Sequence, residues 1–279
     1  MYKVIISLTT SPNRLKLIEP AIKSFLAQDY SVSSIELNIP LKYKNKEEYE
    51  IPDFLLEQTN ESGEKYYKYP NVKIFRIERD IGPATKIVPT LLRYKNDPDA
   101  YIVTFDDDHK YPDKMVSTLL KGLVKFGDKN IYTIGGLYMF VGSKMTLEGY
   151  NPYHTCQVDV LEGVFGVLYN PRLFQDDLMD YMNKVIQCKE CLTSDDITLS
   201  NYLAWKKVPI IRLNFKNFNK WILYKMIIFK NLHIKDSAND GNAIHLMPGG
   251  HKRRYFDACV YLRKHGMLYL NIRKGCIHA

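Results

Sequence analysis

The chain has 279 residues, 46% of them hydrophobic and 25% charged, with a net charge of +8. That balance excludes a disordered or fibrous chain and allows one large domain or two small ones around a sizeable core. The positive charge favours anionic partners such as nucleotide phosphates or an acidic membrane surface, while the lack of an RNA-binding signature or zinc-finger spacing argues against nucleic acid.

Val4 to Leu8 is apolar apart from Ser7 and predicts a buried strand. The polar loop Thr9-Thr-Ser-Pro-Asn-Arg14 follows, and Leu15 to Leu26 has helical spacing, so the chain opens strand, loop, helix. Ser34 to Ile39 is a second strand, closed by Pro40. Residues 42–69 are rich in Lys, Glu and Tyr with weak periodicity, and read as an excursion with short helices. Val72 to Ile77 predicts a third strand, Thr85 to Tyr94 a helix, and Tyr101 to Phe105 a fourth strand. Strands alternating with helices argue for an α/β domain with a mixed, mostly parallel sheet flanked by helices. Further on, Ile131 to Phe140 and Val158 to Tyr169 predict strands, each interrupted by glycines. Pro171 to Val185 and Asp196 to Lys206 predict helices. No repeat, low-complexity tract or Gly/Ser linker divides the chain, which favours one continuous domain.

The most informative segment is Asp106-Asp-Asp108 at the end of the fourth strand. Three adjacent carboxylates repel one another and are costly to desolvate, so a cation should neutralise them. Hard oxygen ligands suit Mg²⁺ or Mn²⁺, and ligands of open α/β sheets gather at the carboxyl ends of strands. An acidic, solvated turn is the alternative for this segment alone. Thr9 to Arg14 could hold a base, ribose or phosphate, or simply cap the following helix. In Arg79-Asp-Ile-Gly-Pro-Ala-Thr-Lys86, Gly82 and Pro83 build a turn, Asp80 could accept from a base or ribose, and Lys86 could reach a phosphate. Ser194-Asp-Asp196 opens a helix, where either acid could cap the N-terminus or act as a general base toward a hydroxyl. The glycines of Leu161-Glu-Gly-Val-Phe-Gly-Val167 would let a ligand approach the backbone, or mark a bulge. Among the histidines, His233, His245 and His251 are candidates to complete a metal shell. His251, in the basic stretch Pro248-Gly-Gly-His-Lys-Arg-Arg254, is the first choice because that stretch reads as a loop able to close over a diphosphate.

Taken in order, the Asp106-Asp107-Asp108 strand end, the Gly163–Gly166 strand and Ser194-Asp-Asp196 leading into Leu199 and Tyr202-Leu203 resemble the A-type (GT-A fold) nucleotide-sugar glycosyltransferases. The likeness is to the inverting, family-2-like group. Asp80-Ile-Gly-Pro-Ala-Thr-Lys86 is similar to a turn in a subset of its members. The resemblance covers Val4 to Leu213 and implies a GT-A domain over 1–215, with a nucleotide-sugar half at about 1–110, an acceptor half at about 111–215, and an extension over 216–279. It implies that Asp108, with Asp106, binds a Mn²⁺ or Mg²⁺ ion bridging the donor diphosphate, and that Asp106 and Asp107 serve ribose or the metal's water. Thr9, Arg14, Asp80 and Lys86 would line the nucleotide pocket, with a UDP-sugar as the favoured donor. Asp196, with Asp195 beside it, would deprotonate a hydroxyl of a glycan or glycoprotein acceptor. Lys86 or Arg253 would stabilise the departing diphosphate. The pair Asp195-Asp196 departs from the more frequent Glu-Asp, which leaves the choice of base open. A nucleotidyltransferase would have a glycine-rich loop after the first strand, and Thr9 to Arg14 has no glycine. An Asp-x-Asp phosphatase would have a Gly-Thr after its carboxylates. A non-catalytic binding protein of the same fold would show a degraded acid pair.

Five scattered cysteines, with only Cys188 and Cys191 close in sequence, read as ordinary thiols of a reducing compartment. No stretch of about 20 apolar residues could span a bilayer. Trp221 to Phe229 reads as a buried helix or as an interfacial one, so the expectation is a cytoplasmic protein with peripheral membrane contact through residues 216–230.

Overall fold

The computed structural model describes residues 2–44, 46–141, 145–148, 154–214, 250–271 and 273–274. The first half contributes strands β1 (Lys3–Leu8), β2 (Ser34–Pro40), β3 (Glu57–Thr59), β4 (Lys65–Tyr67), β5 (Val72–Ile77) and β6 (Ala100–Thr104). The second half contributes β7 (Ile131–Thr133), β8 (Gly136–Val141), β9 (Met145–Glu148), β10 (Cys156–Val158), β11 (Val160–Leu161), β12 (Val167–Tyr169), β13 (Ile210–Arg212) and β14 (Arg273–Lys274). The α-helices are α1 (Pro12–Leu15), α2 (Glu19–Leu26), α3 (Val88–Tyr94), α4 (Met115–Phe126), α5 (Leu178–Val185), α6 (Lys189–Leu192), α7 (Asp195–Trp205) and α8 (Gly250–Lys264).

Eight strands form one sheet in the order β10-β13-β7-β12-β6-β1-β2-β5. The β6-β1-β2-β5 side is entirely parallel, as is the β13-β7 pair, while the other pairings are antiparallel. This is the mixed, mostly parallel α/β architecture that the alternating pattern predicts. A smaller sheet joins β11, β8, β14 and β9, and β3 pairs with β4 as a separate hairpin.

Strand alternation sorts the core into two layers. Val4, Ile6 and Leu8 of β1 and Ile35, Leu37 and Ile39 of β2 face the layer that also holds Leu15, Ile22, Phe25, Met115 and Leu119. On the opposite face Ile5 and Ile102 meet Val88 and Leu91 of α3 and the apolar side chains of α5, α7 and α8. Period-two alternation usually leaves one face of a strand wet, yet all seven residues of β2 are buried. Its polar face is satisfied by α3 instead. Arg93 Nη2 donates to Glu36 Oε2 at 2.6 Å and to Asn38 Oδ1 at 2.6 Å, and the Tyr94 hydroxyl donates to Glu36 Oε1 at 2.7 Å. Asn38 Nδ2 reaches Ser7 Oγ at 3.0 Å, and that hydroxyl in turn donates to the Lys86 carbonyl. The network ties α3 and the turn before it to the sheet.

Several elements differ from the sequence reading, each for a local reason. The helix expected over Leu15 to Leu26 begins only at Glu19, with Pro20, which has no N–H for an earlier ladder, in its first turn, and the short α1 occupies the end of the stretch expected as a loop. The helix expected from Thr85 begins at Val88, after a 3₁₀ turn over Gly82–Lys86. The strand expected over Ile131 to Phe140 divides at Gly135 between two sheets, and a Cβ on Gly135 would lie 2.1 Å from the Phe165 ring. Val158 to Tyr169 divides around a 3₁₀ turn at Gly163–Phe165, with Gly166 at φ +79°. Residues 42–69 carry one 3₁₀ turn and the β3-β4 hairpin. The stretch 250–254 is the start of α8 rather than a loop. Trp221 to Phe229, the membrane contact proposed for 216–230, His233 and His245 lie outside the described residues. Among the described residues, no helix is long and apolar enough to cross a membrane, and Cys156, Cys188, Cys191 and Cys259 are free thiols.

Replacing Arg93 with Leu would strand the Glu36 carboxylate, which has no solvent exposure. The expected cost is about 3 kcal/mol in urea unfolding, because breaking a buried pair leaves an uncompensated charge. A change below about 1 kcal/mol would mean that Glu36 is not held as an anion by this contact.

Candidate active site

The carboxyl ends of β1, β2, β5 and β6 open onto one cavity of about 710 Å³. The acidic turn forms its floor. Phe105 is buried and stacks on Tyr111 with ring centroids 4.0 Å apart. The Tyr111 hydroxyl accepts from the Asp106 N–H at 3.0 Å and donates to the Val164 carbonyl at 2.9 Å. This packing turns the chain sharply after β6, so that three successive carboxylates face the cavity.

Each carboxylate has its own set of partners. Arg14 Nη1 binds Asp107 Oδ1 at 2.9 Å and Arg14 Nη2 binds Asp108 Oδ2 at 3.2 Å, while Thr10 Oγ1 also donates to Asp107. Burial pushes the Asp107 carboxyl up to about 6, against the pull of Arg14 and with the push of Asp108. His109 Nδ1 meets Asp108 Oδ1. Burial works against the imidazolium, but that contact and the surrounding carboxylates raise the His109 pKa above its ordinary value. Lys86 Nζ lies 2.9 Å from Asp106 Oδ1 and 3.0 Å from Asp195 Oδ2, bridging the two acidic segments. Burial disfavours the Lys86 charge, yet Asp106, Asp195 and Asp196 together hold its pKa well above the usual value.

Asp196, in the first turn of α7, is held differently. Its Oδ1 accepts the Gly163 N–H at 2.9 Å and its Oδ2 accepts the Tyr255 hydroxyl of α8. Burial, with the neighbouring Asp195 charge, pushes Asp196 up to about 8; Lys86 and the two hydrogen bonds pull the other way. Burial likewise lifts Glu162 to about 7. Gly163 is required here for close approach, since a Cβ would lie 2.9 Å from Lys86 Nζ and 3.1 Å from Asp196 Oδ1. Gly82, at φ +66°, is required twice over, because a Cβ there would lie 2.3 Å from the Leu192 carbonyl oxygen.

The structure brings Thr9, Arg14, Asp80, Lys86, Asp106, Asp107, Asp108, Asp195 and Asp196 around this single cavity. Asp80 also has a local task, accepting the Lys44 and Gly82 N–H groups at 2.7 and 2.8 Å. The choice of His251 as a metal ligand rested on a flexible loop, whereas the residue lies in the first turn of α8 and its side chain is outside the described set. Arg253 is exposed and pairs with Asp257 at 2.9 Å, whereas its neighbour Arg254 lines the cavity. Sequence reasoning missed His109, Glu162, Arg254 and Tyr255. Only His109, directly after the carboxylates, carried a local signal.

Among described residues, Asp106, Asp108 and His109 each offer one ligand atom within 4.8 Å of the others. Two carboxylate oxygens and an imidazole nitrogen form a donor set that Mn²⁺ accepts well, with Mg²⁺ favouring the oxygens. The described lining of the cavity has seven carboxyl groups and four Lys or Arg side chains. A bound divalent cation would relieve that imbalance, so the residues present fit such an ion.

No protein-family model and no curated protein matches the chain. Among solved structures, it is similar to Staphylococcus aureus TarS 1–349, at 15% identity and a TM-score of 0.40, over 77% of this chain and 59% of that one. The same TarS region in complex with UDP matches at 12% identity and a TM-score of 0.39, over 94% of this chain and 71% of that one. UTP-bound UGPase from Acinetobacter baumannii matches at 8% identity and a TM-score of 0.45, over 94% and 99% of the two chains. Scores this low carry no argument about chemistry, which rests on the residues of the cavity.

The raised carboxyls set a pH dependence. A group whose pKa rises on folding stabilises the fold fully below its unfolded value and loses that contribution as pH rises through the folded value. For Asp196 the window runs from the ordinary carboxylate range up to about 8. The melting temperature of the wild type should therefore decline from pH 5 to pH 8 more steeply than that of Asp196→Asn. Parallel declines in thermal scans would show that Asp196 does not titrate in this window.

Proposed function

We propose that this chain is a metal-dependent glycosyltransferase that moves a sugar from a nucleoside-diphosphate sugar to an acceptor hydroxyl with inversion at the anomeric carbon. The observation that carries the reading is the placement of two acidic segments, Asp106–Asp108 and Asp195–Asp196, on one cavity with Lys86 between them. One segment has the donor set of a cation site and the other has a carboxyl poised near neutrality. Metal-assisted group transfer from a diphosphate uses both.

In this reading Asp106 and Asp108, with His109, hold Mn²⁺ or Mg²⁺, and the ion supplies charge neutralisation for the donor diphosphate. Thr9, Arg14, Asp80 and Asp107 line the nucleotide side, with a UDP-sugar the favoured donor. Lys86 and Arg254 face the departing diphosphate as fixed positive charges. Asp196 takes the proton of the acceptor hydroxyl as its oxygen attacks the anomeric carbon. Asp195 is paired with Lys86 and acts through charge, raising the basicity of Asp196. Residues 1–110 then form the donor half and 111–215 the acceptor half. Within the extension over 216–279, α8 belongs to the same site, since Arg254 and Tyr255 line it. The acceptor is a glycan or glycoprotein hydroxyl.

Thermal stability against a panel of nucleoside diphosphates, each with and without Mn²⁺, tests the donor site. The expected result is a rise of several degrees that requires both Mn²⁺ and UDP and disappears in Asp108→Ala. If no nucleotide shifts the melting point with any metal, the reading is wrong. In transfer assays Asp196→Asn should lower kcat by about 100-fold or more while leaving the UDP shift intact, because a general base contributes about 10²–10⁴. NMR of the product should show an inverted anomeric centre, and retention would remove Asp196 from the role of base.

A further inference from the structure

Helix α8 lies beyond the part of the sequence that resembles any family, yet it places a phenol on the candidate base. We infer that Tyr255 is a positioning residue: its hydroxyl holds the Asp196 carboxylate in the orientation in which it takes the acceptor's proton. The inference rests on the transfer reading above and goes beyond it by giving the C-terminal helix a part in the reaction.

The geometry supports this from three sides. Asp196 is gripped at both oxygens by elements far apart in sequence, Gly163 N–H at Oδ1 and Tyr255 O–H at Oδ2. Two donors on different oxygens fix the plane of the carboxylate and leave the remaining lone pairs for a hydroxyl in the cavity. Helix α8 is itself firmly seated. Tyr255, Ala258, Cys259 and Leu262 form one buried face, and Cys191 Sγ of α6 lies 3.9 Å from the Ala258 carbonyl. Finally, the donor is a neutral hydroxyl. A cation there would form an ion pair and make Asp196 a poor base, whereas a phenol orients the carboxylate without cancelling its charge. The charged and titratable groups around the pair, among the described residues, are Asp195 of α7, Lys86 of the Gly82–Lys86 turn, Glu162 before the Gly163 turn, Tyr169 of β12 and Arg254 of α8. Among the described residues, Tyr255 is the one side chain that hydrogen-bonds Asp196 and Gly163 the backbone contact. A hydrogen bond to the ionised form favours that form, so the phenol also extends the working range of the base toward lower pH.

Tyr255→Phe keeps the ring and removes the hydroxyl. Losing a hydrogen bond to a charged group corresponds to about 10- to 100-fold, so kcat should fall by that factor with the donor KM within about 3-fold. The acid limb of the kcat profile should move up by about one pH unit, and the variant should still unfold cooperatively. Carboxyl ¹³C titration of Asp196 should show its midpoint moving up in the variant. In the wild type, the Tyr255 Cζ signal should shift in step with that titration, a reading that needs no variant. An unchanged kcat and acid limb would overturn the inference while leaving the transfer reading intact. So would a faster Tyr255→Phe enzyme, which would make Tyr255 a plug, or a glycosyl mass on Tyr255, which would make it an acceptor. If the wild type transfers no sugar from any donor, the transfer reading fails, and the ¹³C titration alone decides the contact: an unmoved Asp196 midpoint overturns it.

Discussion

The ammonium of Lys86 is the contact on which the arrangement of the cavity depends. It is buried among three carboxylates and touches two of them, Asp106 at the end of β6 and Asp195 at the start of α7. Those elements belong to different halves of the chain, and without a cation between them their charges would push the halves apart. Taking an ammonium out of water costs several kcal/mol, and only close, hydrogen-bonded carboxylates offset that. The fold therefore needs Lys86 placed accurately, and most of the local structure can be read as meeting that requirement.

Lys86 ends a 3₁₀ turn that is fixed from below and from the side. From below, Ser7 of β1 donates to the Lys86 carbonyl and belongs to the network of Asn38, Thr90, Arg93 and Glu36 between the sheet and α3. From the side, Gly82 lets the turn approach the Leu192 carbonyl at the end of α6, two residues before Ser194, which leads into α7. Above, Gly163 lets the ammonium and the Asp196 carboxylate approach the backbone of its own turn. The stability of the core and the geometry of the cavity thus share the same residues, so changes under α3 would be felt at the acids.

The two neighbouring acids of α7 illustrate how environment divides labour between identical side chains. Asp195 is neutralised by Lys86, whereas Asp196 is held by an amide and a phenol and is pushed up by burial and by Asp195. Environments that separate the pKa values of adjacent carboxyls are a sign of distinct acid–base roles. Partners likewise differ along the acidic turn: Asp107 is held by Arg14 and Thr10, Asp106 by Lys86, and Asp108 by Arg14 and His109.

The sequence by itself determined the parallel strands β1, β2, β5 and β6, the acids at the end of β6 and the acid pair opening α7. These are local matters: apolar runs and their period choose the strand, and the residues after the run fall at the sheet's carboxyl edge. It also named Lys86 and Arg14 from their loops, because loops at that edge converge on one space. It did not reveal that the helix of Leu15 to Leu26 starts only at Glu19, that Gly135 sends one apolar run into two sheets, or that β2 hides its polar face under Arg93. Nor did it reveal Glu162, Arg254 or Tyr255 in the cavity, or that His109 stands with the described carboxylates. Apart from the helix start near Pro20 and the His109–Asp108 contact, which are local, those outcomes depend on partners tens of residues away in the chain, and hydrogen bonding and steric fit across such distances leave no periodic trace. Composition and spacing fix which chemistry a segment can carry; only packing fixes what each side chain touches, and for Asp196 that contact with Gly163 and Tyr255 decides what kind of acid it is.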